Sequence, residues 1–260
     1  MSAVKIEGIV LDSIDYDDFA KIVKVFSKQF GILSFFAPGV NKEGSKNKYS
    51  VQNLTCSEFE IFKARKDEKV SKLKTGRLIV DFYAIATNYN NYVFVSILVN
   101  LLTQLLPPGF KAVNIYYAFK TVLENMKAKR NGFLNYAIFL LYFIQNSEYR
   151  LRTNRCSRCK KTTNSYARFE YTDKTLVCVK CLWPGEKKQP PSFVKIFSSF
   201  NEFNFTQLTE MIYNTNDLIV LHQFLINYLV DELGVFIGAL KIIKNSAVMK
   251  INDKIIMNYQ

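Results

Sequence analysis

"FAKIVKVFSKQFGILSFFAPGV", Phe19 to Val40, decides how the first third of the chain folds. Two short runs rich in β-branched and aromatic residues are separated by a polar stretch that closes on Gly31. Such runs, apolar on both sides of the pleat, read as strands. Working outward, "VKIEGIVLDS" (Val4–Ser13) alternates loosely before them, and "FEIFK" (Phe59–Lys63) and "GRLIVDFYAI" (Gly76–Ile85) follow. Five short strands of mixed alternation fit a small closed barrel better than an open sheet with bare edges. Residues 1–80 are therefore expected to form a barrel domain.

From about Asp81 the apolar period changes from two to between three and four. Phe94, Ile97, Leu98, Leu101, Leu102 and Leu105 mark one helix face, and Val113, Tyr116, Phe119, Leu123 and Met126 a second. "PPGF" separates these two helices, and Asn131-Gly132 separates the second from a third. The third, "FLNYAIFLLYFI", is apolar all round and belongs inside a core. Helices resume after residue 192. Asn204 with Gln207 resembles a capping box ahead of Leu208, Met211 and Ile212. Asp217 can cap a longer helix that ends near Gly234. The reading is an α+β multidomain chain: a barrel at 1–80, an all-α domain at 81–149 and 193–245, a cysteine module at 150–192 inserted in it, and a tail at 246–260.

Phe82 to Phe110 has no charged residue, but it contains several Asn, a Gln and Pro107-Pro108. Its strongly apolar part, Tyr92 to Leu106, is shorter than the roughly 20 residues a spanning helix needs. A buried helix is the better reading. "MSAVKIEGIVLDS" places Lys5 and Glu7 where a signal peptide needs an apolar stretch. A cytoplasmic chain with reduced thiols is expected.

Four of the five cysteines stand in two C-x-x-C pairs, Cys156/Cys159 and Cys178/Cys181. Two such turns present four sulfurs to one ion, and the spacing between the pairs suits a four-cysteine zinc site. A redox pair, two disulfides or a site that no longer loads metal are the other readings. A closed site of four sulfurs leaves no open position, so one Zn2+ per chain would be structural. Charge concentrates around it. The chain carries a formal net charge of +13, and residues 150–195 hold 12 Lys and Arg against 3 acids. Four thiolates and one zinc would bring that local excess of +9 down to about +7. Tyr166, Phe169 and Tyr171 interleave with Arg168 and Lys174, a pattern that suits phosphate contact with base stacking.

Catalytic signals fail one by one. Gly39–Lys46, "GVNKEGSK", lacks the Gly-Lys order of a phosphate loop. Asp12, Asp15, Asp17 and Asp18 lack the Gly and distal Glu of a calcium loop and read as a solvated turn. His222, the sole histidine, lies on an apolar helix face without an acid–base partner. Cys56 reads as a small buried hydrophobe. No nucleophile, base and anion site assemble, so a non-enzymatic protein is expected.

Taken in order, these parts resemble the RecO family of bacterial DNA repair and recombination mediators. Glu7-Gly8-Ile9-Val10-Leu11, Asp15-Tyr16, Lys21-Ile22-Val23, Gly31 and Gly39 match that family's opening strands. The helical region, the C-x-x-C…C-x-x-C insertion and a closing "YLVDELG…LK" follow in the family's order. The chain departs at Lys160-Lys161, where a Gly commonly follows the first cysteine pair, and at "TDKT", where a Gly-rich turn is usual. The resemblance implies an OB-fold barrel, a helical domain and a zinc module. It implies binding to single- and double-stranded DNA and annealing of complementary strands. It also implies, with RecR, loading of RecA onto strands coated by single-stranded-DNA-binding protein, in the RecFOR pathway of the DNA damage response.

The expected DNA contacts are Lys21, Lys24, Lys42, Lys46 and Lys48 on the barrel, and Arg152, Arg155, Arg158, Lys160 and Lys161 in or beside the module. The weakly charged helical domain is the expected dock for protein partners, the acidic tail of single-stranded-DNA-binding protein among them. A zinc-ribbon interaction module in transcription or RNA metabolism is the alternative reading. A DNA-processing enzyme is the second.

Overall fold

A computed structural model describes residues 3–66, 68–198, 205 and 213–238. By packing, the chain divides into two compact units, Met1–Arg130 and Asn131–Gln260. The Asn204/Gln207 capping box and the 246–260 tail lie outside the described residues.

The first unit opens with five strands, β1 (Val4–Asp15), β2 (Lys21–Ser27), β3 (Gly31–Ala37), β4 (Thr55–Phe62) and β5 (Ser71–Asp81). They close into a barrel in the order β1-β2-β3-β5-β4, with β1 returning to pair β4. All neighbours are antiparallel except β3 and β5, which run parallel through Phe35↔Ser71 and Phe36↔Lys72. This is the topology of an OB-type barrel. The 12-residue β1 serves both sides because its register shifts between Val10 and Asp12, a bulge that bends the strand. Val23 and Val25 of β2, Leu33, Phe35 and Ala37 of β3 and Phe59 of β4 fill the interior. Phe35 and Phe59 meet there with ring centroids 5.0 Å apart.

The fifth strand differs from its expected span. It begins at Ser71 and ends at Asp81, and Tyr83–Thr87 forms a short 3-10 helix instead. The alternation Ser71-Lys72-Leu73-Lys74, in-out-in-out, starts the strand inside a charge run. The outer faces of β2 and β3 are not all open. Phe26 packs edge-on against Tyr116 of α2 (Val113–Lys127) at 5.5 Å. The link between α2 and α1 (Tyr89–Leu105) lies against β3, with Gly109 N–H donating to the Ile32 carbonyl at 3.1 Å.

That link explains Gly31. Its φ is +64°, and a Cβ there would sit 2.0 Å from the Phe110 carbonyl oxygen. Both the left-handed backbone and the backbone approach require glycine. Gly31→Ala should cost more than about 2 kcal/mol, because strain and a clash with main chain add. Chemical denaturation of the variant checks this; a midpoint equal to the parent's contradicts it.

Cys56 is buried as expected but is not merely a hydrophobe. Its sulfur is 3.7 Å from the Tyr116 hydroxyl and 3.9 Å from Glu7 Oε1. Glu7 Oε1 accepts from Tyr116 Oη at 3.0 Å and from Lys120 Nζ at 2.8 Å, tying the barrel to α2. Burial would raise the Glu7 carboxyl, but Lys120 and Tyr116 outweigh it and hold the group below its ordinary value.

In the second unit α3 (Gly132–Gln145) is buried from Leu134 to Gln145 except at Tyr142, as its uniform apolarity predicts. The Asn131 side chain caps it by accepting from Leu134 N–H, so Asn-Gly acts as a helix start. The helix α5 (Thr215–Asn227) is capped by Asn214, not Asp217, which is itself buried within the first turn. A π-helical turn, Tyr228–Glu232, extends it. His222 is a core histidine, 3.0 Å from the Tyr136 hydroxyl, with its pKa pushed down to about 3 by burial. The cysteine segment supplies β6 (Arg152–Cys156), β7 (Tyr166–Glu170) and β8 (Thr175–Cys178), ordered β6-β8-β7, and α4 (Pro191–Ser198) packs on β7. Among the described residues no helix is long and apolar enough to cross a membrane.

Candidate metal centre and nucleic-acid interface

Cys156 ends β6, Cys178 ends β8, and a turn follows each, so the two C-x-x-C segments face one another. The four sulfurs of Cys156, Cys159, Cys178 and Cys181 all lie within 4.8 Å of one another, with Cys159 and Cys178 at 3.9 Å. Sulfurs bound about 2.3 Å from one ion in a tetrahedron are about 3.8 Å apart. The donor set and its spacing fit a metal ion, and all four thiols are free. Burial would raise the Cys156 thiol, but N–H groups of Cys178, Cys159 and Arg158 outweigh it and bring it down to about 6. Cys181 is pushed up to about 12, first by its contacts with the Cys178 and Cys159 sulfurs. One cation among the four would relieve that crowding of negative charge.

The two positions where glycine is usual in the resembling family are left-handed here. Lys160 has φ +61° and Lys174 φ +53°. Lys160 N–H donates to the Cys156 carbonyl at 3.0 Å and its ammonium to the Ser157 carbonyl, so the knuckle closes despite the side chain. Lys174 pairs with Glu232 at 2.5 Å. Lys160→Gly should stabilise the second unit by about 1 kcal/mol by removing the left-handed penalty. Thermal unfolding at matched metal content reads it, and a lower melting temperature contradicts it.

Two of the three interleaved aromatics, Phe169 and Tyr171, face inward. Phe169 is fully buried and stacks on Phe197 of α4 at 4.1 Å, and Tyr171 packs against Phe224 of α5 at 5.4 Å. They form the module's own core and are not a stacking surface. "PGEKKQPPS", which reads as a linker, is also built in. Gln189 is buried, accepts from Phe169 N–H at 2.7 Å and donates to the Phe169 carbonyl at 3.2 Å.

The expected cationic residues fall into distinct settings. Asp17 caps the β1–β2 turn by accepting from the Phe19 and Ala20 N–H groups, so the acidic cluster is a turn. Lys21 is paired with Asp15 at 2.8 Å, and Asn41 donates to the same carboxylate at 2.7 Å. Asn41 N–H also reaches the Phe19 carbonyl, and the Lys42 ammonium lies over the Phe19 ring at 5.3 Å. The β1–β2 turn and the start of the β3–β4 loop are thereby pinned together. They bring Lys21 and Lys42 to a cluster that holds exposed Tyr16 and Phe19, with Tyr16 edge-on to Phe36 at 5.5 Å. Exposed Lys46 and Lys48 flank Asn47, whose Oδ1 accepts from Gly76 N–H of β5. Lys24 stands apart, in a groove of about 300 Å3 between β1, β2 and α1, beside Asp12, Tyr92 and Asn100.

In the module Arg152, Arg155, Lys160 and Lys161 are exposed. Arg158 is not free: it is bidentate to Glu186 at 2.5 and 2.7 Å and donates to the Cys181 carbonyl. Sequence reasoning also passed over the β4–β5 loop, where Arg65, Lys66 and Lys69 are exposed. In OB-type barrels this loop and the β1–β2 turn border the ligand face. The signal was the dense charge of Lys63–Lys74.

A closed OB-type barrel with cationic loops, a helical region and a four-cysteine centre defines a class of nucleic-acid-associated chain. The family models described as "Recombination protein O N terminal" and "Recombination protein O C terminal" match residues 1–82 and 86–240. A DNA repair protein RecO of Mesoplasma florum is 36% identical over 91% of this chain and 88% of its own. One of Mycoplasma mycoides subsp. mycoides is 31% identical over 89% and 93%, and one of Clostridium acetobutylicum 26% over 83% and 85%. The chain belongs to the RecO family of DNA repair proteins.

Proposed function

We propose that this chain is a non-enzymatic mediator of recombinational repair in the bacterial cytoplasm, associated with the nucleoid. It binds single- and double-stranded DNA without sequence preference and anneals complementary strands. With RecR it helps load RecA onto strands coated by single-stranded-DNA-binding protein. The observation that carries this reading is the barrel's pinned loop cluster, where Lys42 and exposed Tyr16 and Phe19 sit together. Cations over aromatics on an OB-type barrel suit phosphate and base contact without base-edge readout. Two strands held on positive surfaces lose much of their mutual phosphate repulsion, which is the physical basis of annealing.

We further assign one structural Zn2+ per chain to Cys156, Cys159, Cys178 and Cys181, since thiolates in this arrangement favour zinc and leave no open coordination position. The functional division is the barrel at 1–80, a helical domain at 81–149 and 193–245, and the module at 150–192. The helical domain is the dock for protein partners, including the acidic tail of single-stranded-DNA-binding protein.

Annealing of two complementary fluorescent oligomers tests the reading. The protein should accelerate duplex formation without nucleotide or hydrolysis of either strand. A rate equal to that of the free oligomers, or strand cleavage with divalent metal, overturns it.

A further inference from the structure

Trp183 is the chain's sole tryptophan and is 65% exposed. An exposed tryptophan on a long side chain usually samples several orientations, but this one is held. The sequence Trp183-Pro184-Gly185-Glu186 makes a tight turn, with Pro second, Gly third at φ +90° and the Glu186 N–H donating to the Trp183 carbonyl at 3.1 Å. That is the residue pattern of a type II turn. The turn sends the Glu186 carboxylate back to the Trp183 N–H at 2.7 Å. The same carboxylate grips Arg158 bidentately, and the Arg158 guanidinium lies 3.8 Å from the centre of the Trp183 ring. Arg158 is anchored in turn on the Cys181 carbonyl, at the edge of the cysteine cluster. One ring face is therefore covered by a planar cation, while the overall exposure leaves the opposite face to solvent.

Glu186 consumes the Arg158 charge, so the guanidinium serves as backing for the ring and not as a phosphate contact. Exposed Lys180, Lys187 and Lys188 flank the turn in sequence and keep its surroundings cationic. A rigid aromatic face amid lysines matches an unpaired nucleobase, which offers its own π-face together with an adjacent phosphate. Duplex bases are already stacked on both sides and cannot use it.

We propose that Trp183 is a stacking point for a single-stranded nucleobase, backed by Arg158 and aligned by Glu186. This deepens the DNA-binding reading above and rests on it. Because no other tryptophan exists, Trp183 emission reports its own contact. The full-length, metal-loaded protein is titrated with oligo-dT, with an abasic deoxyribose-phosphate oligomer of equal length and with a duplex, following both tryptophan emission and oligomer anisotropy. Oligo-dT should quench the emission, and the abasic oligomer and duplex should bind without quenching. Trp183→Ala should weaken oligo-dT binding about tenfold. It should leave duplex affinity and the salt slope unchanged, and Trp183→Phe should retain most of the affinity. Equal oligo-dT affinity in Trp183→Ala, unchanged emission at saturated anisotropy, or quenching by the abasic oligomer would overturn the stacking assignment while DNA binding stands. No anisotropy change with any oligomer at low salt would overturn the DNA-binding reading, and the stacking point with it.

Discussion

Cys178→Ser will reduce bound metal from one ion per chain to none and will loosen the β6–β8–β7 sheet. The cysteine sulfurs link the ends of β6 and β8, two strands that share few pairings of their own. β6 meets β8 only through Arg152↔Thr175 and Cys156↔Leu176, with a register shift between them. Cys178 contributes twice: its sulfur is one of the four clustered donors that could hold the ion, and its N–H donates to the Cys156 sulfur at 3.4 Å. A serine hydroxyl is a hard, weakly acidic donor and a poor zinc ligand. Structural zinc sites contribute on the order of 10 kcal/mol of apparent folding free energy, far above what this short sheet supplies alone. The loss should be local. Phe169, stacked on Phe197, keeps its attachment to α4 through apolar contact that needs no metal. Elemental analysis should find no zinc in the variant, and trypsin should cleave at Lys160, Lys161 and Lys174 well before the barrel. A chelator should reproduce the cleavage in the parent. A full complement of metal in the variant, or unchanged cleavage after chelation, would refute the structural role.

Much of the fold is written locally. The β-branched and aromatic runs of Phe19–Val40 give two strands, and the change of period after Asp81 gives helices, because each pattern is set by residues a few positions apart. The cysteine spacing is equally local, and it names the four sulfurs that cluster before any fold is known. What the sequence hides depends on distant partners. Arg158 reads as a free cation, yet a carboxylate 28 residues on captures it through the Trp183–Glu186 turn. Phe169 reads as a base-stacking aromatic, yet Phe197 and Phe224 close over it from two later helices. Lys21 reads as open, yet Asp15 pairs with it, and Asn41 donates to that same carboxylate across a loop crossing. The left-handed Lys160 and Lys174 stand at departures from the family's glycines, but a lysine carries no sequence signal of positive φ. A charge is legible from its letter, whereas its availability is a tertiary property.

That distinction fixes how DNA affinity should respond to salt. Lys42, Lys46, Lys48, Arg152, Arg155, Lys160 and Lys161 are exposed, whereas Lys21 and Arg158 already serve a carboxylate. If roughly six of the open cations neutralise phosphates, log affinity for a single strand should fall with log salt at a slope of about −4. Raising salt from 50 to 200 mM would then weaken binding on the order of a few hundredfold. Each open cation removed should flatten the slope by about 0.7, so Lys161→Ala and Lys46→Ala should each do so without loss of stability. Arg158→Ala should leave the slope unchanged, because its charge is balanced by Glu186, and should instead destabilise the module by stranding that carboxylate. Anisotropy of a labelled oligo-dT across a salt series measures all three variants. An affinity indifferent to salt would refute electrostatic binding altogether. A slope that flattens as much for Arg158→Ala as for Lys161→Ala would show that the Glu186 pair opens to take a phosphate, and that charge availability cannot be read from the unbound protein.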